Sequence, residues 1–314
     1  MTSSPGLPYC REATTNRDWL EWNGVSCSNF KLDRLWHDVQ SVLAGRWEHL
    51  IRVFVKQEPH KKAKVVEKRW RLIMASSLSV QLVWHMLFSY QNDLEIKNAY
   101  HIPSQQGVVL VNGGWKRYRQ QWLAKGLTCG LDKSAWDWTC ASWLLDADLE
   151  FRFRSGSGRR MIEWRQLARE MYDRMFVDPV LVLSNGTMWR QVVPGVMKSG
   201  CVNTISTNSH CQVFVHFLTC FEQGISPFPV CVACGDDTLQ AAEHCADISV
   251  YHKFGVKVKS ASDDMEFVGH EITSHGPHPL YMAKHVKKLR YVSEEILPQY
   301  FDAMARMYVH TRYF

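Results

Sequence analysis

The sequence predicts an α+β fold, and three features of its 314 residues carry that expectation. Apolar residues recur at helical spacing in several separate stretches, as in Leu32, Leu35, Trp36, Val39 and Leu43. Two hairpins are signalled, at Asn185-Gly186 and at Gly235-Asp236-Asp237, each turn flanked by apolar runs. Helical stretches and hairpins alternate without the regular strand–helix–strand rhythm of a doubly wound sheet.

In chain order, Pro5, Gly6 and Pro8 make residues 1–10 a loop, and a helix follows over Leu32 to Leu43. Leu50 to Val55 reads as a short strand and Ser79 to Tyr90 as a buried helix. Gly113-Gly114 interrupts the chain, and Leu127 to Leu131 is a strand running into an acidic turn. Helices are expected over Ala141 to Phe153 and Ile162 to Phe176, separated by a Gly/Ser turn, followed by the Val180 to Val193 hairpin. A helix from about Val202 to Phe221 precedes strand, tight turn and strand over Val230 to Gln240. Ala241 to Phe254 reads as a helix, and Lys257, Lys259 and Phe267 belong to short strands.

Hydrophobic residues make up 46% and charged residues 22%, as in an ordinary globular chain. The net charge of +6 is a modest excess, but it is clustered. Lys56, Lys61, Lys62, Lys64, Lys68, Arg69 and Arg71 form one basic run, and Lys284, His285, Lys287, Lys288 and Arg290 another. Such runs are either solvated faces or contacts for an anionic partner. No basic start with an apolar core marks a signal peptide, and no apolar run approaches the roughly 18 residues that span a bilayer. The ten cysteines form no small-domain framework, which points to reduced thiols in a cytosolic-type compartment. Cys231 and Cys234, with His210, Cys211, His244 and Cys245 nearby, raise the thought of zinc, but the apolar setting favours a buried strand.

Chemistry is signalled by three stretches. A Gly-Asp-Asp triplet alone is weak, since aspartates are common turn formers. Two adjacent carboxylates held at a turn between apolar strands nevertheless repel each other unless a cation sits there, and magnesium suits carboxylates plus phosphate oxygens. Asp132, at the end of an apolar strand, supplies a second acidic element, with Asp137 five residues on. A two-metal phosphoryl-transfer site needs carboxylates from at least two elements, so that the ions sit about 4 Å apart. Asp132 and Asp236 can supply that pair. Third, Lys198 to Ser209 is dense in small hydroxyl and amide side chains, with Thr204 and Asn208 sharing one helical face. Ser199 there could be no more than an N-cap; that reading leaves Asn208 unexplained.

Taken in chain order, from Asp132 through Lys198–Ser209 to Gly235-Asp236-Asp237, the three stretches resemble motifs A, B and C of right-hand RNA-dependent RNA polymerases. The resemblance extends outward. Thr2 to Tyr9 resembles motif G. Phe54-Val55-Lys56-Gln57-Glu58, Lys64 and Arg69 to Leu78 resemble motif F. Phe254 to Lys259 resembles motif D, and Glu266 to His270 motif E. The Gly-Asp-Asp form points to positive-strand RNA viruses. The Asp-Trp-Thr ending of motif A is most similar to the sobemovirus-like group, while motifs F and G are also similar to picornavirus polymerases.

The resemblance implies fingers over 1–126, a palm over 127–150 and 199–273 with a fingers insertion at 151–198, and a partial thumb over 274–314, the palm being a ferredoxin-like antiparallel sheet with helices. It implies that Asp132 and Asp236, with Asp237 beside them, hold magnesium, with manganese as a substitute. Asp137 and Asn208, assisted by Ser199 and Thr204, would recognise the ribose 2′-hydroxyl, which separates RNA from DNA building blocks. Lys56, Lys64, Arg69 and Arg71 would bind the triphosphate, Arg71 foremost because its fork suits phosphate. His60 stands where picornavirus polymerases commonly carry arginine. Lys257 and Lys259 both fit the motif D lysine that protonates pyrophosphate, with Lys259 the preferred choice. The expected partners are template RNA, the nascent strand, nucleoside triphosphates and other viral replication proteins, in a replication complex in the host cytoplasm. Few residues precede motif G or follow motif E, so a core fragment or an incomplete reading frame is expected. A reverse transcriptase would carry an apolar or aromatic residue in place of the Asp137 and Asn208 pair, and a decayed RNA-binding relative would not keep both metal-binding aspartates.

Overall fold

The computed structural model describes residues 2–60 and 62–311; Lys61 of the first basic run lies outside the described residues. The strands, in chain order, are β1 (Leu50–Val55), β2 (Leu72–Ala75), β3 (Leu127–Lys133), β4 (Val180–Leu183), β5 (Met188–Arg190), β6 (Val232–Cys234), β7 (Asp237–Ala241), β8 (Val258–Ser262), β9 (Glu266–Phe267), β10 (His270–Ile272) and β11 (Pro277–Pro279). Helices alternate with them irregularly, as the α+β expectation requires. The chain divides into two compact units, Met1–Lys56 with Trp70–Leu94 and Asp137–Thr207, and Gln57–Arg69 with Glu95–Trp136 and Asn208–Phe314.

The first unit carries a sheet of order β2-β1-β4-β5, in which only the β1–β4 pair is parallel. Asn185-Gly186 forms the β4–β5 turn, with Gly186 at φ +87°. Trp84, Phe88, Tyr172 and Phe176 form a buried aromatic cluster in this unit, with ring centroids 5.0–6.2 Å apart. Beside it lies a buried ion pair. Arg152 Nε donates to Asp148 Oδ2 at 3.0 Å, and the same oxygen accepts from Tyr172 at 2.6 Å and Thr207 at 2.8 Å. Both charged side chains are fully out of water, and the network supplies the partners that such burial demands.

The second unit holds an antiparallel sheet of order β6-β7-β3-β8 and a small antiparallel sheet of order β11-β10-β9. Tyr118, Trp122, Leu127, Val232, Leu239, Met265, Phe267 and Ile272 form its main core. In β3, Leu127, Cys129, Leu131 and Lys133 are buried in alternation, while Thr128 and Asp132 face outward. Gly130 must lack a side chain, because a Cβ there would run into the Glu266 carbonyl.

Three local expectations need correction. β3 continues through Lys133, so Asp132 lies within a strand and not in a turn. Ala241 to Phe254 is not one helix but two 3₁₀ segments, Ala242–Cys245 and Ile248–Phe254. The break has a local cause: Asp247 turns its carboxylate back to accept from Ser249 N at 2.9 Å, capping a new segment instead of continuing the old one. The helix after Gly200 begins at Thr204, so Ser199 is not its N-cap. Its hydroxyl instead donates to the Leu72 carbonyl at 3.0 Å.

Candidate active site

The acidic groups meet at the β3–β7–β8 edge of the second unit. Strand register sets Leu131 opposite Thr238, so one step further along the antiparallel ladder Asp132 faces Asp237. Asp236 occupies the hairpin turn with Gly235, which takes φ +65°, a conformation open to glycine at little cost. Gly235 N donates to Ser209 Oγ at 2.9 Å, tying the turn to the helix Thr204–Gln223.

The electrostatics confirm the crowding. Burial pushes the Asp237 carboxyl up to about 6; Asp236 and Asp132 push it the same way, and Lys133 opposes them. Such a cluster binds protons too readily for an isolated set of carboxylates, and a divalent cation relieves the same repulsion. The donor set is all oxygen and suits a hard cation such as magnesium.

Two lysines flank it. Lys259, exposed on β8, pairs its ammonium with Asp132, and that bond raises its pKa above the ordinary lysine value. Lys133 is buried, donates to the Thr238 hydroxyl, and is pulled down to about 8 by burial, with Asp236 and Asp237 among the charges holding it up. Lys133 escapes a motif-based reading, yet a signal exists: it occupies the apolar face of β3. Tyr281 is a second unforeseen neighbour, its hydroxyl pushed up by burial and then by Asp237 and Asp132.

The structure sorts the remaining predicted residues as follows. Lys56 N donates to the Arg71 carbonyl at 2.8 Å, so these two sit side by side at the end of the β1–β2 ladder in the first unit. Arg69 N donates to the Lys64 carbonyl at 2.9 Å in the second unit, where both side chains are exposed and Arg69 pairs with Glu67. Ser199 reaches Leu72 as described, and Gly200 lies so close to β2 that a Cβ would strike the Met74 carbonyl. The Thr204 hydroxyl lies 2.8 Å from the Cys201 carbonyl and 3.1 Å from that of Lys198. Asp137 is half-buried in the short helix Trp136–Thr139 of the first unit, and Asn208 is buried in the second. Lys257 is exposed just before β8, and its carbonyl accepts from Ser134 N at 2.7 Å. No two of the ten cysteines form a disulfide. No helix among the described residues is long and apolar enough to cross a membrane.

The sheet thus gathers three aspartates from a strand and the neighbouring hairpin, and comparison with known proteins shows the class to which such a fold belongs. The family model for viral RNA-dependent RNA polymerase matches residues 1–275. The replicase polyprotein P2AB of Southern cowpea mosaic virus is 35% identical over 253 residues, covering 76% of this chain and 25% of that protein. Protein P1-P2 of a Netherlands strain of potato leafroll virus is 35% identical over 301 residues, covering 86% and 27%. The sicinivirus 3Dpol RNA-dependent RNA polymerase superposes with a TM-score of 0.69 at 17% identity, over 92% of this chain and 64% of that one, a likeness of fold. The chain belongs to the viral RNA-dependent RNA polymerase family. It spans about a quarter of the length of the curated relatives it matches.

Proposed function

We propose that the chain is the catalytic region of an RNA-directed RNA polymerase that copies a viral RNA genome by two-metal nucleotidyl transfer, within a replication complex in the host cytoplasm. The observation that carries this reading is the Asp132, Asp236 and Asp237 cluster, where burial and then the neighbouring carboxylates push the Asp237 carboxyl up to about 6. These three would hold magnesium, or manganese in its place, and the bound ions would neutralise phosphate charge and favour the attacking hydroxyl as alkoxide. The protein's own groups do the rest. Lys259, kept charged by Asp132, holds a proton for the leaving pyrophosphate. Lys133 balances the carboxylates from beneath the sheet. Lys56 and Arg71, with Lys64 and Arg69, bind and align the triphosphate, since positioning and charge stabilisation supply most of the catalysis in phosphoryl transfer. Asp137 and Asn208, supported by Ser199 and Thr204, read the ribose 2′-hydroxyl. In the resulting domain reading, the β3–β7–β8 sheet is the palm, the first basic run belongs to the fingers, and the segment after residue 273 to the thumb.

The test is primer extension on an RNA template with ribonucleotides and, separately, deoxyribonucleotides. Ribonucleotide-dependent extension that Asp132→Asn or Asp236→Asn removes supports the reading. Extension that favours deoxyribonucleotides, or that survives in both variants above a few per cent of wild type, overturns it.

A further inference from the structure

Between the helix Thr204–Gln223 and the segment that follows β7 lies a group of side chains that the polymerase chemistry does not use. His216, Cys220 and His244 are all buried, and one donor atom from each lies within 4.8 Å of the others. His216 and Cys220 are four residues apart on the helix Thr204–Gln223, hence on one face, and His244 comes from the 3₁₀ segment after β7.

How the two rings are held is informative. His216 Nε2 lies 2.9 Å from the Pro227 carbonyl, and His244 Nε2 lies 3.0 Å from the Ser226 carbonyl. The Ser226 carbonyl therefore takes the Nε2 proton of His244, which leaves the Nδ1 lone pair of that ring turned away from the loop, and the Pro227 carbonyl next to it holds His216 Nε2. Metal-ligating histidines are commonly oriented by donating their other ring N–H to a backbone carbonyl in this way. His216 Nδ1 stands 4.0 Å from Cys220 Sγ and 2.8 Å from the acceptor Gln240 Oε1, so this ring meets an acceptor at each nitrogen. His244 Nδ1 is buried with no hydrogen-bond partner. An orphaned ring nitrogen is costly in a dry interior, and one on a ring whose centroid lies 4.9 Å from that of His216, in a cluster that also holds a thiol, has the chemistry of a vacant ligand.

We propose that His216, Cys220 and His244 form a structural zinc site that fastens the C-terminal part of the helix Thr204–Gln223 to the segment following β7. Two imidazole nitrogens and a thiolate suit zinc and not the magnesium of an all-oxygen site. In tetrahedral zinc, a nitrogen and a sulfur ligand lie about 3.5 Å apart, so small side-chain rotations close the observed spacing. On binding, the Cys220 thiol releases its proton to solvent, His216 keeps its one ring proton on Nε2 against the Pro227 carbonyl, and Gln240 Oε1 gives up its contact with Nδ1 while Gln240 Nε2 keeps its 2.9 Å contact with Tyr251. The three side chains supply three of the four tetrahedral positions and leave the fourth to a small exogenous ligand. Only His244 belongs to the residues that the Cys231–Cys234 spacing brought to mind. The site stands independently of the polymerase reading.

The test is the metal content of the full chain, purified without added metal and dialysed against metal-free buffer. About one zinc per chain is expected, lost in Cys220→Ser and in His244→Gln but retained in Asp236→Asn, which separates this site from the carboxylates. Chelation should lower the melting temperature by about 4 °C or more, restored by zinc alone. Should either variant fail to fold, wild-type chain reconstituted with cobalt decides: a thiolate-to-cobalt charge-transfer band is expected. Wild type with only trace zinc, zinc retained in Cys220→Ser, or a cobalt spectrum without the thiolate band overturns the assignment.

Discussion

Lys259 on β8 grips the carboxylate of Asp132 on β3, the strand hydrogen-bonded beside it. The pair places an ammonium whose proton is held more firmly than in free lysine at the acidic cluster. Lys259→Ala should lower kcat for single-nucleotide incorporation by about 100-fold or more, with KM little changed, as expected for loss of a general acid. Lys257→Ala should leave both near wild type. A larger loss in the Lys257 variant would exchange their roles.

Asp237 gives a pH signature. Its carboxyl titrates near 3.8 in an unfolded chain and about 6 in the fold, so the folded state prefers it protonated. The associated stability is complete below pH 3.8 and drains away as pH rises through about 6. By pH 7 the loss amounts to about 2–3 kcal/mol. In the metal-free chain, Asp237→Asn should therefore raise the melting temperature at pH 7 and lose that advantage at pH 4. Magnesium should stabilise wild type more at pH 7 than at pH 5. The same variant should retain part of its synthesis and shift its preference toward manganese. A melting difference independent of pH would remove Asp237 from the crowded cluster.

Arg71, backed by Lys56 at the end of the β1–β2 ladder, should be felt in nucleotide kinetics. Losing a bidentate arginine contact costs on the order of 2–3 kcal/mol, about 30- to 150-fold. Arg71→Ala should raise KM for nucleotides, lower kcat, or both, with RNA affinity nearly unchanged, and Arg71→Lys should recover part of the loss. Loss of RNA affinity with intact nucleotide kinetics would move Arg71 to the template path.

Asn208→Ala should narrow the gap between ribonucleotide and deoxyribonucleotide incorporation, because a site built to hydrogen-bond a hydroxyl rejects the analogue that lacks it. Competition between the two sugars measures this directly. A fall in overall rate with an unchanged sugar ratio would make Asn208 structural.

Arg152 should matter to stability and not to chemistry. Its fully buried guanidinium serves Asp148, which also accepts from Tyr172 and Thr207. Arg152→Ala should destabilise by about 3–5 kcal/mol in urea unfolding, because it strips the fully buried Asp148 of its counter-ion. Arg154→Ala, which breaks an exposed pair with Glu150, should leave the midpoint unchanged.

Asp132, Asp236 and Asp237 can be found from the sequence because their signals are local: apolar alternation, a glycine at a tight turn, and carboxylates where the apolar run meets solvent. The β4–β5 hairpin at Asn185-Gly186 is legible for the same reason. Asp247 shows the limit of periodicity, since one side-chain cap to Ser249 outweighs a helical pattern and divides Ala241 to Phe254 into two short segments. What tertiary structure alone decides are the meetings of distant residues. Lys133 finds Thr238 across 105 residues, and Arg152 finds Ser206 across 54. His244 comes to His216 and Cys220 only because the hairpin and the Ser226-Pro227 loop return the chain to the helix Thr204–Gln223. A residue's identity sets which partners it can satisfy, but burial sets whether it must have one, and burial is a property of the packed chain.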